Sequence, residues 1–337
     1  MNIYPENSII LAPLSGYTDL PYRRSARRFG CKYCFTEMID AGSLAYANAK
    51  TTRFMERGED EEWLGVQLVG CNHDRISKSI DILNQHKFDI LDFNLGCPVP
   101  KVSKKGAGAA LGVKIDEAVK CFELIKKLSR HPISAKIRIL DEENPEPTLQ
   151  LVKGLTEAGA QAITIHGRVK NKFYSGPVYF DIIKAARESV DIQIIANGGI
   201  TNAENYIEIK EKTACNTVML ARGAMGNPWL FHELTDKNYI PPTPEELCNE
   251  LEQHVMEMID YYGETLALRI GRKVILDYLK SRGFPGKFKA QVSFLHTTED
   301  FNEFMKIVRE GPSGRYSQWL KVYPNADRRL LLNKTGE

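Results

Sequence analysis

The sequence predicts an α/β fold, a (β/α)8 TIM barrel followed by a C-terminal all-helical domain. Three observations lead to this prediction. Eight short, nearly continuous apolar segments lie between residues 9 and 222, apolar residues at helical spacing fill the stretches between them, and a proline-rich break at 241–244 ends the pattern. Buried strands that alternate with helices are typical of a parallel sheet covered on both faces, and eight such units favour a closed barrel.

Polar residues stand where most of the predicted strands end. In a barrel the carboxyl ends of all strands converge on one face, where such enzymes have their active sites. An open doubly wound sheet is the alternative, because the number of strands does not by itself prove closure. The predicted strands, in chain order, are 9–13, 33–39, 65–69, 90–94, 134–139, 162–166, 193–197 and 217–222.

The break at 241–244 divides the chain into two predicted domains. It indicates a linker, and Thr243 with Glu246 three residues later is typical of a helix N-terminus. Helices are predicted at 245–262, 266–280 and 300–309, and the last stretch to residue 337 is polar. We therefore assign residues 1-240 to a catalytic barrel domain and 241-337 to a helical domain.

Composition indicates a cytoplasmic enzyme. Hydrophobic residues make up 43% of the 337, enough for a large core, and the polar N-terminus predicts neither a signal peptide nor a membrane span. Seven cysteines, an odd number without framework spacing, suit a reducing compartment. Cys31 and Cys34 form a CxxC pair without a second pair, so packing is favoured over metal or redox use. No metal site is predicted, and a monomer is expected.

The helical domain has a marked charge division. Residues 245–264 contain seven acidic side chains and no lysine or arginine, whereas 269–289 contain seven basic side chains and one acid, Asp277. A run of charge is usually a solvated face. A net charge of +6 beside a catalytic barrel nevertheless favours contact with a polyanion.

Cys97 is the most informative residue of the chain. An apolar strand runs directly into a turn in which Gly96 and Pro98 restrict the backbone on either side of this cysteine, so its thiol is oriented rather than simply buried. Asn94 lies three residues before it and Lys101 four residues after it. A cysteine held in this way is usually present for its chemistry.

Strands five to eight end in residues suited to anionic groups. Lys136 lies inside an apolar strand, where a lysine is seldom buried without a partner, so a group that develops negative charge is expected beside it. His166 ends the next strand, with a structural histidine as the alternative. The loops after strands seven and eight predict a phosphate site, unless their glycines merely serve tight turns. These loops contain Asn197, Gly198, Gly199, Ala221 and Arg222.

Taken together, these motifs resemble the tRNA-dihydrouridine synthases, which are flavin-dependent reductases of uridine in RNA. The resemblance covers essentially the whole chain, and the segment from Asn94 to Lys101 is its most specific part. The matching motifs are residues 12–19, 35–38, 67–68, 94–98 with Lys101, 136–138, 166–168, 174–176, 197–200 and 222–224.

The resemblance implies FMN across the barrel mouth, with NADPH as the reductant of the flavin. Reduced flavin would give a hydride to C6 of the uracil, and Cys97 would protonate C5. A general acid must arrive protonated, so an ordinary or raised pKa suits this thiol. The implied cofactor-binding residues are Pro13, Leu14, Ser15, Gln67, Lys136, His166, Asn197, Gly198, Gly199, Ala221 and Arg222.

The implied substrate is RNA, with tRNA favoured. A base cannot react inside a helical stack, so the target uridine must be flipped out. Residues on mouth loops would stack on the base or grip phosphates, and the basic run of the helical domain would hold the RNA body. The implied RNA-binding residues are Asn94, Lys101, Arg138, Arg168, Tyr174, Arg272 and Lys273.

Two departures from the family pattern leave the RNA target open. Pro177-Val178-Tyr179 stands where an Ala-Asp-Trp type sequence is usual, and Val274 replaces the histidine of an Arg-Lys-His stretch. They concern which uridine is modified, and whether in tRNA or another RNA such as rRNA.

Two alternative functions are also considered. The first is a flavin barrel of the dihydroorotate dehydrogenase kind, and the basic helical domain argues against it. The second is a non-catalytic flavin- or RNA-binding protein, and Cys97 argues against that.

Overall fold

The computed structural model describes residues 2–46 and 53–312. The chain divides into two compact units, Met1–Ala221 and Arg222–Glu337. The polar stretch at 313–337 lies outside the described residues, and the assignment of 1-240 and 241-337 to two functional domains stays a prediction. None of the described helices combines the length and the apolar character that a membrane span requires.

The first unit is a closed barrel. Its strands pair in sequence order, every pairing is parallel, and the first strand also pairs with the last, with Ile10 beside Met219. This closure excludes the open doubly wound sheet and confirms the predicted fold. The strands are β1 Ile9–Leu11, β2 Tyr33–Asp40, β3 Leu64–Val69, β4 Ile90–Leu95, β5 Ile133–Arg138, β6 Ala162–His166, β7 Gln193–Asn197 and β8 Val218–Leu220.

The first and last strands are shorter than the sequence pattern predicts. Ala12 still donates its N–H to the carbonyl of Leu220, at 2.8 Å, but Pro13 has no N–H with which to continue the ladder. At the end of β8 the chain leaves the sheet, and Arg222–Ala224 forms a single 3₁₀ turn. Apolar character alone therefore overestimated the length of both strands.

Helices follow the strands and cover the barrel. The longer helices bury an apolar stripe, as in Ile115–Leu128, where Ala118, Cys121, Phe122 and Ile125 are buried at helical spacing, whereas the short helix Pro100–Ser103 buries no residue. The described helices of this unit are Leu20–Arg28, Ala41–Ala45, His73–Leu83, Pro100–Ser103, Ala109–Gly112, Ile115–Leu128, Glu146–Glu157, Phe180–Glu188 and Ala203–Thr213, with a 3₁₀ turn at Lys170–Lys172.

Aromatic rings fill the end of the barrel at which the strands begin. The Tyr4 ring lies 5.2 Å from that of Tyr33 and 5.4 Å from that of Trp63, and Phe35 lies 5.5 Å from Trp63. These rings belong to an apolar cluster that crosses the barrel interior. Since this end is apolar and packed, it supports the fold, and polar chemistry is left to the opposite end.

The described part of the second unit is helical. Thr243 accepts from the N–H of Glu246, and the Glu246 carboxylate accepts from the N–H of Thr243, so the predicted helix N-terminus is a complete capping box. The helix that follows ends where Gly263, at φ +80°, turns the chain. The described helices are Leu230–Thr235, Pro244–Tyr262, Glu264–Leu279, Phe288–Val292 and Thr298–Arg309.

A buried ion pair ties the loop before β3 to the first helix. The Arg23 guanidinium donates to the Glu61 carboxylate at 2.7 Å, and both side chains are almost fully buried. Arg23 also donates to the carbonyls of Thr18 and Glu56, at 3.0 and 2.7 Å. The neighbouring Asp60 pairs with Arg27 at the surface, where half of the Asp60 side chain is exposed, and Arg27 also donates to Glu61 at 2.5 Å.

Glu61→Ala is expected to lower the free energy of unfolding by about 3–5 kcal/mol, because it leaves the Arg23 charge buried without its counter-ion. The matched control is Asp60→Ala, which removes an exposed ion pair and is expected to cost no more than about 1 kcal/mol. Urea unfolding at pH 7 measures both values. Similar losses for the two variants would contradict this account.

Candidate active site

A layer of polar side chains lines the barrel interior toward the carboxyl ends of its strands. Side chains two residues apart on a strand share a face, so Asp92 and Asn94 of β4 lie on one face, as do Ser134 and Lys136 of β5. The register places Asp92 beside Ser134 and Asn94 beside Lys136. Asp92, Asn94 and Ser134 are buried. Closure of the barrel therefore encloses several hydrogen-bonding groups within one small volume.

A chain of hydrogen bonds runs through this layer to Cys97. Ser134 and Gln67 each donate to the Asp92 carboxylate at 2.7 Å, from Oγ and Nε2 respectively. The Asn94 side-chain amide donates to Gln67 Oε1 at 2.7 Å. Asn94 Oδ1 in turn accepts from the backbone N–H of Cys97 at 2.8 Å and from that of Gly96 at 3.1 Å. We call Asp92, Gln67, Asn94 and Cys97 the β4 relay.

The Cys97 loop is held from a second side by a glycine-rich segment. The N–H of Ala109 donates to the carbonyl of Cys97 at 3.0 Å. Gly108 precedes it at φ +60°, and a Cβ there would lie 2.8 Å from that same carbonyl oxygen. Only glycine satisfies both the backbone angle and the close approach. The half-exposed Cys97 thiol thus stands on a backbone that is hydrogen-bonded on both sides.

Burial raises the pKa of the Cys97 thiol, although the positive charges of Arg138 and Lys136 act in the opposite direction. The thiol is therefore protonated at neutral pH. A nucleophilic cysteine would require the reverse, a lowered pKa. The environment suits a group that delivers a proton.

Lys136 supplies a cation to this layer. Its Nζ donates to Asn197 Oδ1 at 2.8 Å, and Asn197 Nδ2 donates to the carbonyl of Met219 at 2.7 Å. Burial and the charge of Arg138 lower the pKa of Lys136 to about 8, against the opposing effect of Asp92. Lys136 is therefore mostly charged at pH 7 and loses its charge in a mildly alkaline solution.

Asp92 supplies the opposite charge. Burial raises the pKa of this carboxyl to about 6, while the hydrogen bonds from Gln67 and Ser134 and the charge of Lys136 hold it down. At pH 7 it is mostly ionised. Burying a carboxylate in a barrel interior costs free energy, because the charge is removed from water. The presence of Asp92 therefore indicates a role that an apolar side chain could not perform.

The ends of β6 and β7 approach each other closely. Gly198 has φ +126°, and a Cβ there would lie 2.9 Å from Cδ2 of His166. Nε2 of His166 lies 3.4 Å from a guanidinium nitrogen of Arg168. His166 is buried, whereas Gly199 is exposed. The glycine at 198 is thus required both by its backbone angle and by the ring packed against it.

Arg138 joins two loops of the mouth from a buried position. Its Nε donates to the carbonyl of Gly96 at 2.8 Å, and its Nη1 donates to the carbonyl of Phe173 at 2.7 Å. Its guanidinium carbon also lies 5.6 Å from the centre of the Tyr174 ring. The arginine thereby links the Cys97 loop to the loop after β6. A role for Arg138 in contacting RNA stays a prediction.

The remaining residues predicted for the cofactor lie at the ends of β1 and β8. Leu14 packs against the apolar cluster of the barrel, and its N–H donates to Thr18 Oγ1 at 3.0 Å. Pro13 is half-buried and Ser15 is exposed. Ala221 packs against the same cluster as Leu14. Arg222 begins the second unit and is exposed.

The residues predicted to bind RNA differ in exposure. Lys101, on the helix Pro100–Ser103, is exposed, and 47% of Tyr174 is accessible. Arg168 is buried and donates to the carbonyl of Gly176 at 2.9 Å. In the second unit, Arg272 is half-buried with a guanidinium nitrogen 3.4 Å from the carbonyl of Leu295, and Lys273 is half-buried.

Two residues of the site were missed by sequence reasoning. Asp92 and Ser134 anchor the β4 relay, yet neither stands at a strand end, where polar residues predict the active site of a barrel. A signal was present for Asp92, because it is a carboxylate inside an apolar strand and lies two residues before Asn94. No signal of that kind marks Ser134, whose relevance depends on its register with Asp92.

In the part of the chain that the structure describes, the other cysteines and the acidic side chains form no alternative centre. Cys31 and Cys34 are buried, with their sulfur atoms 3.5 Å apart and hydrogen-bonded to each other but not joined by a disulfide. Within residues 2–46 and 53–312, no group of three or more histidine, cysteine or acidic side chains is arranged to hold a metal ion.

A closed barrel with a thiol, a lysine and a buried carboxylate grouped toward the carboxyl ends of its strands is the architecture of a barrel enzyme. The family model "Dihydrouridine synthase (Dus)" matches residues 10–310. The chain belongs to the dihydrouridine synthase family, which confirms the resemblance. Membership of this family implies a flavin cofactor and an RNA substrate.

Curated relatives match most of the chain. A tRNA-dihydrouridine synthase B of Pasteurella multocida is 34% identical over 280 residues, which are 82% of this chain and 84% of the relative. A probable tRNA-dihydrouridine synthase of Rickettsia conorii is 33% identical over 321 residues, 92% and 96% of the two chains. Among solved structures, a nitroalkane oxidase of Streptomyces ansochromogenes has a TM-score of 0.41 at 14% identity, over 65% of this chain and 66% of the oxidase. This similarity is too low to indicate a shared function.

Arg138→Met is expected to loosen the loop after β6, because it removes charge-assisted hydrogen bonds from two loops at once. Trypsin should cleave after Lys172 at least about tenfold faster than in the unmodified protein, since local opening becomes easier by more than about 1.4 kcal/mol. The matched control, Arg187→Met, removes an exposed arginine from the helix Phe180–Glu188 and should leave this rate unchanged. Equal rates in the two variants would refute the role given to Arg138.

Proposed function

We propose that this protein reduces the C5=C6 bond of uridine in tRNA to 5,6-dihydrouridine, with FMN as its cofactor and NADPH as the reductant. One observation carries the proposal within the family: a thiol with a raised pKa, Cys97, stands on a backbone fixed from two sides and within electrostatic reach of the Lys136 cation. The curated relatives are tRNA-dihydrouridine synthases by name, which favours tRNA over other RNA.

The residues present fit a flavin. Lys136 provides a cation beside which negative charge on a reduced ring is stabilised. The side-chain amides of Gln67 and Asn94 each use one N–H inside the β4 relay and have a second N–H for the carbonyl oxygens of a ring. At the end of β7, Gly198 and Gly199 have the positive φ angles that let backbone approach a phosphate. Pro13, Leu14, Ser15, His166, Asn197, Ala221 and Arg222 complete the proposed cofactor site.

The chemistry divides between the cofactor and the protein. When bound, FMN supplies the hydride for C6 of the uracil, after NADPH has reduced it. Cys97 holds the proton that C5 receives, and burial keeps this proton on the sulfur at neutral pH. Lys136 donates to Asn197 and is mostly charged at neutral pH, so the cation is in place before any ligand arrives.

We further propose that exposed basic and aromatic groups receive the RNA. A flipped uridine needs a stacking surface, which Tyr174 offers, and backbone contacts, which the exposed Lys101 offers. In the helical domain the proposed contacts are Arg272 and Lys273, together with the exposed members of the basic run. These exposed residues are Arg269, Lys280, Lys287 and Lys289.

One member of the basic run has a structural task in the second unit. Arg282 donates to the carbonyl of Gly226 at 2.8 Å and to Asn227 Oδ1 at 3.1 Å, and its guanidinium carbon lies 5.6 Å from the Trp229 ring. Arg282 is therefore not among the proposed RNA contacts. We place the protein in the cytoplasm, consistent with its seven free cysteines, and we propose that it is a monomer.

Mass analysis of RNA from a strain that lacks this gene tests the proposed function. One uridine position in tRNA should lose the two-dalton increase that reduction of the C5=C6 bond produces. If the increase is lost from ribosomal RNA instead, the substrate is ribosomal RNA and not tRNA. If no RNA changes, the proposal fails.

Cys97→Ala is expected to reduce the rate of uridine reduction by about 10²–10⁴-fold, the usual contribution of a positioned general acid, while FMN binding is retained. Single-turnover reduction of tRNA by the prereduced enzyme measures the rate, and flavin absorbance measures the bound cofactor. The matched control is Cys71→Ala, which removes another half-buried thiol outside the β4 relay. An unimpaired Cys97→Ala enzyme would disprove the role of Cys97 as the acid.

FMN affinity and turnover are expected to fall as pH rises through about 8, because the cation of Lys136 is lost there. The raised pKa of Cys97 keeps its thiol protonated over the same range, so that group does not cause the fall. Lys136→Arg keeps a charge at every accessible pH and should abolish the fall in affinity. Quenching of FMN fluorescence from pH 6 to 9.5 measures it, and an unchanged fall in Lys136→Arg would assign the titration elsewhere.

A further inference from the structure

Every hydrogen bond of the β4 relay runs in the same direction, with the donor on the Cys97 side and the acceptor on the Asp92 side. At one end, the ionised Asp92 carboxylate can only accept, so Gln67 must turn its Nε2 toward it. Oε1 of Gln67 then faces Asn94, which must present its Nδ2. The oxygen of Asn94 is thereby directed to the backbone N–H groups of Gly96 and Cys97, which can only donate. Both ends impose the same orientation on both amides.

We propose that Asp92 is a positioning residue for Cys97: by accepting from Gln67 it sets the orientation of the Gln67 and Asn94 amides, and through them the backbone of the Cys97 loop. Without an acceptor at position 92, either amide can rotate by 180°. A rotated Asn94 would point its NH₂ group at two N–H donors, and the loop would lose both hydrogen bonds. The side-chain amides of Gln67 and Asn94 therefore connect the Asp92 carboxylate to the Cys97 loop, and each amide has only one orientation that keeps all these hydrogen bonds.

The surroundings of Asp92 show that its position is not simply a packing site. Its carboxylate faces Gln67 on β3 and Ser134 and Lys136 on β5, and Tyr4 is near enough for its own titration to be affected by the charge. Burial opposes ionisation and raises the pKa of Asp92 to about 6. An ionised group is thus retained where a neutral one would be easier to bury.

The relay also decides what the site offers a ligand. With the orientation set by Asp92, Gln67 and Asn94 each have a second amide N–H that takes no part in the relay. A reversed relay would offer carbonyl oxygens instead. The site therefore selects a ring edge that carries hydrogen-bond acceptors, such as the carbonyl oxygens of a flavin or a uracil. This consequence rests on the proposed function, whereas the positioning of the Cys97 backbone does not.

Amide hydrogen exchange at the cysteines of the full-length protein tests the proposal without cofactor or RNA. Labelling with ¹⁵N-cysteine reports seven backbone amides, and the Cys97 signal is identified by its absence in Cys97→Ala. Asp92→Leu is expected to accelerate exchange at Cys97 by at least about tenfold, the effect of losing a hydrogen bond worth about 1.4 kcal/mol. Exchange at Cys31, Cys34 and Cys215 should not change.

Asp92→Asn separates the acceptor from the charge. Its Oδ1 can accept from Gln67 while its Nδ2 donates to Ser134, whose hydroxyl can also accept, so exchange at Cys97 should stay slow. Asp89→Leu removes a carboxylate from the residue before β4 that accepts from the N–H of Leu64, and it should not affect Cys97. If Asp92→Leu does not fold, Gln67→Met breaks the relay one link later and is expected to accelerate the same amide.

Three results would overturn the proposal. They are slow exchange at Cys97 in the folded Asp92→Leu or Gln67→Met protein, equal acceleration at all the buried cysteines, and fast exchange in Asp92→Asn. Kinetics then connect the relay to the reaction: Asp92→Leu should lower kcat at least about tenfold while the KM for RNA stays within about twofold. If the exchange results are as expected but the unmodified protein reduces no RNA, the proposed function is refuted and the positioning role of Asp92 still holds.

Discussion

The pairing of β1 with β8 is the interaction on which the rest of the structure depends. It converts eight parallel strands into a closed barrel, and closure brings strand ends that are far apart in sequence to a single mouth. Lys136 and Asn197, 61 positions apart, are hydrogen-bonded because of it. The aromatic rings of Tyr4, Tyr33 and Trp63 fill the opposite end, so the barrel has an apolar support and a polar mouth.

Inside the mouth, opposite charges are kept at some cost. Burial raises the pKa of Asp92 to about 6 and lowers that of Lys136 to about 8, so both groups are mostly ionised only between these values. The carboxylate orders the amides beneath Cys97, and the ammonium group stands ready for an anionic ring. The thiol remains protonated between them, since burial raises its pKa more than the neighbouring cations lower it. One enclosed layer thereby supports an acid, a cation and a set of directed donors.

Much of the site could be predicted because each strand end is a local signal. The apolar strand before Cys97, the restricting residues Gly96 and Pro98 and the internal Lys136 are visible in the sequence. The position of Arg138 was not visible. Sequence reasoning placed it on a mouth loop, whereas its guanidinium is buried and links the carbonyls of Gly96 and Phe173. These partners lie 42 and 35 positions away, so no local pattern could reveal them.

The sequence by itself determined the class of fold, the order of its strands, the capped helix after Thr243 and the family, because periodicity, capping and motif spacing are properties of short segments. Only the tertiary structure decided that the sheet closes, where β1 and β8 end, and that Asp92 and Ser134 stand behind Cys97. Those features depend on register between strands, such as Asp92 beside Ser134, and on the direction of hydrogen bonds across the barrel. Both arise only when distant strands are brought together.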